Sequence, residues 1–178
     1  PLCVAVNVSR ISMLRPGFVE DYRRVRDAWG VPAGALELEF TESIAVENFE
    51  PFREAVTALR QSGFLCAMDD FGTGQSSLNC LQNLPLDVLK LDQAFFLSAS
   101  DPGRRDTVVA SVLAMARRLS MRTVEEGVES AGEARLLREM GCDYIQGYVY
   151  SRPVPAEQYL QQVQEALDGG AAPSPGQG

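Results

Sequence analysis

Residues 64–92, FLCAMDDFGTGQSSLNCLQNLPLDVLKLD, hold two short apolar runs joined by a turn and a helix-compatible segment. The first run, residues 64–69, reads as a buried strand that ends in Asp69 and Asp70. Gly72 and Gly74 then allow a sharp turn, since glycine tolerates backbone angles closed to other residues. A short helix is predicted over 76–83, and residues 87–91 form a second strand carrying Lys90 just before Asp92. Two strands joined through a helix are the unit of a parallel sheet, because a parallel pair needs a crossover connection.

The same unit recurs on both sides of this stretch. Toward the N-terminus, residues 2–8 and 36–40 read as strands. The helix between them carries Phe18, Tyr22, Val25 and Trp29 and stops at Gly30 and Pro32. Phe52, Val56 and Leu59 mark the helix before Gly63. Toward the C-terminus, a helix over Thr107–Leu119 places Val108, Val109, Val112, Ala116 and Leu119 on one side. Strands follow at 121–126 and 143–147, with a helix bearing Leu136, Leu137 and Met140 between them. Pro155 starts a last helix bearing Tyr159, Leu160, Val163 and Leu167. The Gly-, Ala- and Pro-rich residues 169–178 are expected to be a disordered tail beyond a single domain over 1–168.

Six βα units in a row imply an α/β fold with a parallel sheet covered by helices. An open doubly wound sheet and a closed (β/α) barrel both fit that alternation. A full barrel of eight units takes about 250 residues. Six units in 178 residues have the density of a TIM-like barrel that lacks its beginning, and the chain opens directly in a strand.

Composition narrows the chemistry. There is no histidine, which excludes a Ser-His-Asp triad and a histidine zinc site. The net charge of −8 argues against long nucleic acid as a partner, since that binding works by neutralising phosphates. It leaves room for a small anionic ligand held through metal ions. No apolar run reaches the roughly 18 residues of a membrane helix. Cys3, Cys66, Cys80 and Cys142 lack metal-type spacing. Cys3 and Cys66, in apolar runs, are expected to be buried free thiols, as suits a reducing cytoplasm.

The strand ends carry the signal. In order they present Asn7 and Ser9, Glu39 and Glu42, Asp69 and Asp70, Lys90 and Asp92, Glu126 and Glu129, and Gln146. In a barrel this is the face where the active site lies. Each group has a plainer reading. Asn7 or Ser9 can cap a helix, Asp69 and Asp70 can make a turn, and Lys90 can guard an edge strand. Six strand ends in succession are harder to ascribe to turns and solvation. Adjacent carboxylates repel, and a cation relieves that repulsion. Hard oxygen ligands suit Mg²⁺ or Mn²⁺, and two such ions about 3.5–4 Å apart support phosphodiester cleavage. Glu37 shares strand parity with Glu39, so it is expected to need a partner inside the barrel.

Asn7-Val8-Ser9, Glu39-Phe40-Thr41-Glu42-Ser43, Asp69-Asp70-Phe71-Gly72-Thr73-Gly74-Gln75-Ser76-Ser77-Leu78, Lys90-Leu91-Asp92, Glu126-Gly127-Val128-Glu129 and Gln146-Gly147-Tyr148 together resemble the ordered motifs of bacterial EAL domains. The likeness runs from Asn7 to Pro153. It implies a metal-dependent phosphodiesterase that opens cyclic di-GMP to linear pGpG with Mg²⁺ or Mn²⁺, two ions in all, and that Ca²⁺ inhibits. By the same resemblance, Asn7, Glu39 and Asp69 ligate the first ion. Asp69 bridges to the second, which Asp70 completes. Lys90 holds the nucleophilic water or the developing charge, and Glu126 serves as second-metal ligand or general base. Gln146 positions a water or ligand, while Glu42 and Glu129 anchor the loop from Phe71 to Ser77.

The family's Glu-Ala-Leu strand, whose Glu is a metal ligand, comes earlier in the family's order than the Asn7 strand. Its absence here implies a fragment with an open barrel edge, and an isolated chain of reduced activity. A non-catalytic cyclic di-GMP receptor is the alternative, and a purely structural dimerisation module a third. The resemblance further implies a cytoplasmic homodimer with a sensor or diguanylate cyclase domain upstream.

Overall fold

The structure, a computed structural model, describes residues 2–72, 77–94 and 101–169. Six strands form one parallel sheet: β1 (Val4–Asn7), β2 (Leu36–Thr41), β3 (Leu65–Phe71), β4 (Val88–Leu91), β5 (Arg122–Glu125) and β6 (Tyr144–Ile145). Their spatial order is β1-β2-β3-β4-β5-β6. That order decides between the two architectures, because a doubly wound sheet reverses strand order at a switch point. Sequential order throughout is the order of a barrel wall, here with β1 and β6 as its two edges.

The helices among the described residues are α1 (Arg10–Met13), α2 (Phe18–Ala28), α3 (Glu42–Glu47), α4 (Phe49–Gln61), α5 (Ser77–Asn83), α6 (Pro102–Arg118), α7 (Ala131–Met140) and α8 (Ala156–Gly169). The core lies between them and the sheet. Phe52, Val56 and Leu59 of α4, spaced at helical intervals, are fully buried. Phe52 meets Phe40 of β2 edge to face at 5.1 Å.

Several expectations need correction. The buried face of α6 is Val109, Leu113 and Ala116, whereas Val108 and Leu119 are about half exposed. The stripe was centred one position off. The helix also begins at Pro102, because Asp101 caps it by accepting from the Gly103 N–H at 2.9 Å and proline suits a first helical turn. Val25 of α2 and Trp29 just after it, and Tyr159, Leu160 and Leu167 of α8, are exposed. Cys3 is exposed too, because it adjoins the edge strand β1; Cys66, Cys80 and Cys142 are buried, and all four are free thiols. Helices α1 and α3 are too short to leave a periodic trace. The predicted tail lies outside the described residues from 170 onward.

Two aspartates pin the sheet's register at the strand starts. Asp87, just before β4, accepts from the Cys66 N–H of β3 at 2.9 Å and pairs with Arg60 of α4. Asp143, just before β6, accepts from the Thr123 N–H at 2.8 Å and the Thr123 hydroxyl at 2.9 Å. Because β6 has only 2 residues, its pairing leans on this clamp. Asp143→Ala is expected to cost about 2 kcal/mol through lost charge-assisted hydrogen bonds. Urea unfolding checks this, by a lower midpoint at unchanged slope.

Candidate functional site

Parallel register carries the predicted residues to one end of the sheet. Asn7 pairs with Glu39 across β1 and β2, and Thr41 with Asp69 across β2 and β3. Paired residues of neighbouring strands share a face. The β3–β4 register then shifts between Met68 and Phe71. Within that irregularity Asp70 has a φ of 54°, a left-handed conformation uncommon for a residue other than glycine. Its N–H donates to Asp69 Oδ1 at 3.0 Å. The bulge interrupts strict alternation, so the two adjacent carboxylates both lie near the strand's end.

Lys90 stands at the centre. It is 5% exposed, and its Nζ pairs with Glu39 Oε1, with Glu126 Oε1 at 2.5 Å and with Asp69 Oδ1 at 3.8 Å. These three carboxylates come from β2, from the residue after β5, and from β3. Burial acts to lower the Lys90 pKa, but the hydrogen bonds to Glu126 and Glu39 and the charge of Asp69 outweigh it, so the ammonium persists well above its usual range. Burial raises the Glu126 carboxyl against the opposing pull of Lys90. Asp70 is raised as well, by burial and then by the charges of Asp69 and Asp92.

Gln146 and Glu129 are placed elsewhere. They line a cleft of about 1060 Å³ with Gly127, the residue after Glu126, and with Tyr148 and Arg152. Arg152 stacks on the Tyr148 ring at 4.3 Å. Gly147 is required at the cleft's wall, since a β-carbon there would stand 2.0 Å from the Val128 carbonyl oxygen. Glu42 is buried; burial, and then the charge of Glu42, raise the Cys80 thiol of α5, so Glu42 lies near the helix that follows the predicted loop. Residues 73–76 of that loop lie outside the described residues.

Two acidic groups exceed what the strand ends announced. The Glu37 carboxyl is raised by burial and then by Glu39, while the charges of Lys90 and of Arg122 on β5 counter only part of that rise. Glu125 is 1% exposed, and neither carboxyl oxygen has a hydrogen-bond partner. Burial, then Asp92 and Glu126, push it up to about 8. Glu125 is the last residue of β5 and Glu126 follows it, so alternation turns the two side chains to opposite faces, and Glu125 lies beside Glu133 and Leu137 of α7.

The donor chemistry fits a hard cation, since carboxylate oxygens from separate strands already converge on one positive point. Among the described residues no three carboxylates or thiols surround a point that a metal ion could fill; the point the carboxylates share here holds Lys90 Nζ. The literal Glu165-Ala166-Leu167 lies within helix α8 rather than on a strand.

A profile of the EAL domain matches residues 1–153. The chain is 38% identical over 154 residues to cyclic di-GMP phosphodiesterase NbdA of Pseudomonas aeruginosa, covering 86% of this chain and 20% of that protein. It superposes on the EAL domain of Mycobacterium smegmatis DcpA with a TM-score of 0.85 at 35% identity, over 92% of this chain and 73% of that one. PaMucR phosphodiesterase, in complex with c-di-GMP, superposes with a TM-score of 0.81 at 33% identity, over 88% and 64% of the two chains. The chain thus spans about a fifth of the length of such curated relatives.

Proposed function

The chain belongs to the EAL domain family, and from that premise we propose that it carries the catalytic cluster of a metal-dependent phosphodiesterase opening cyclic di-GMP to linear pGpG. The observation that supports this reading most is the convergence of Glu39, Asp69 and Glu126 on buried Lys90 at the C-terminal ends of the strands. A phosphodiester carries negative charge, so a site made of carboxylates alone would repel it. Mg²⁺ or Mn²⁺, held by Asn7, Glu39, Asp69 and Asp70, would reverse that sign and supply an acidified water.

The chain's own groups divide the remaining work. Lys90 places a positive charge where an attacking or departing oxygen gathers negative charge. Glu126, raised by burial and touching Lys90, is placed to accept a proton from a water. Gln146, Tyr148 and Arg152 line the adjoining cleft, where an amide, a ring and a guanidinium suit a planar base.

The test is turnover of cyclic di-GMP with Mg²⁺, Mn²⁺ or Ca²⁺. It is run on this chain and on a form carrying the family's Glu-Ala-Leu strand in front of it. The extended form is expected to cut with Mg²⁺ or Mn²⁺ but not Ca²⁺, whose looser coordination suits this chemistry poorly. Asp69→Ala is expected to reduce the rate to background. Binding without turnover in the extended form would replace the enzyme with a receptor. No helix among the described residues is long and apolar enough to cross a membrane.

A further inference from the structure

Lys90 is the single lysine of this chain; every other basic side chain is an arginine. It is 5% exposed and sits where carboxylates from β2, β3 and the residue after β5 meet. An ammonium is a compact point charge with three donors, and it makes contacts here with three acidic side chains. A guanidinium would instead present a planar fork. The group that holds this cluster together is therefore the one that most resembles a bare cation.

We propose that Lys90 is an internal competitor for the divalent ion: its ammonium fills the cation position between Glu39 and Asp69, and metal loading requires it to withdraw from Glu39. This rests on the reading of the cluster as a metal site. Charge supports the exchange. Three carboxylates against one ammonium leave a surplus of two negative charges, which one divalent ion neutralises provided Lys90 stays in the site. Glu126, at 2.5 Å, is the partner that can keep it there. Under this exchange Lys90 takes two positions in turn: on Glu39, Asp69 and Glu126 together, as the structure has it, and on Glu126 alone once the ion binds. The competition lowers metal affinity and frees the ammonium only when the ion is in place.

The test reads metal binding rather than turnover. Mn²⁺ binding is measured by calorimetry on the extended protein and on its Lys90→Met variant. Release from competition is expected to tighten binding by about tenfold or more in the variant. In parallel, lysine-selective isotope labelling is applied to the parent with this region's single lysine as reporter, any lysine of the added segment being replaced by arginine. The Lys90 side-chain signal is expected to move with Mg²⁺, saturating at the concentration at which calorimetry saturates. A folded Lys90→Met protein that binds Mn²⁺ equally or more weakly overturns the proposal. If that variant does not fold, an unmoved signal at full Mg²⁺ occupancy overturns it. If Mn²⁺ binds neither protein, the metal-site reading itself fails and the proposal falls with it. Binding to the parent together with an unmoved signal defeats the competition alone.

Discussion

Lys90→Met is expected to lower stability in metal-free buffer at pH 7 by about 3–5 kcal/mol, the usual cost of removing one partner from a buried ion pair. Methionine preserves much of the side-chain volume, so the loss isolates charge from packing. Glu39 is buried and Asp69 and Glu126 are largely so; without the ammonium they face one another unneutralised. Glu126, already raised by burial, can escape by taking a proton. Carboxyls raised in the folded state above their unfolded values add stability at low pH and lose it as pH rises through the raised values. The variant's deficit is therefore expected to shrink on acidification toward pH 5 and to grow above pH 7. Divalent metal is expected to restore part of it, since an ion that binds only the folded state stabilises that state. Denaturant midpoints for parent and variant at pH 5 and pH 8, with and without Mn²⁺, measure all three effects. Equal midpoints for the two proteins at both pH values would mean that the cluster gains nothing from its central cation.

Glu125→Gln is expected to remove a pH dependence rather than a contact. The Glu125 carboxyl, pushed up from 4.5 to about 8, keeps its proton in the fold where the unfolded chain has released it. Stability tied to this group is thus fully present below about pH 4.5, declines as pH rises, and is gone above about pH 8. At 1.36 kcal/mol per unit the span is at most roughly 5 kcal/mol. Glutamine has the same shape and never ionises, so parent and variant are expected to be alike at pH 5. The variant is expected to be more stable at pH 8.5. Subtracting the two stability curves cancels every other titrating group. A difference that stays flat from pH 5 to 8.5 would show that Glu125 ionises in the fold as it does in the unfolded chain.

Both effects arise where burial meets charge, and they were unequally visible beforehand. Lys90 in the run Val88-Leu89-Lys90-Leu91 announced a charge inside an apolar strand. The three oxygens around it did not follow from that run. Glu39 lies 51 residues away in sequence. Glu125 gives no such sign in the sequence, where Glu126, the residue after β5, holds the expected strand-end role; only packing shows Glu125 to be buried. The half-exposed Val108 shows a related limit. A helix's apolar stripe is wide, and only packing against the sheet picks which edge of the stripe goes under.

By itself the sequence determined the alternation of strands and helices, because hydrophobic period, glycine stops and helix caps act over a few neighbouring residues. It likewise determined that acids, amides and one ammonium stand at successive strand ends, since position along a strand is a local property. Tertiary structure alone decided the strand order, which bears out the TIM-like barrel wall that unit density and the family resemblance implied. It alone decided that Glu39, Asp69 and Glu126 reach Lys90 while Gln146 and Glu129 line a separate cleft, and that Cys3 is exposed on the edge strand's side. Those outcomes depend on register, on the bulge after Met68 and on which faces the helices cover. Each is a contact between residues far apart in the chain, and only the completed sheet sets such distances.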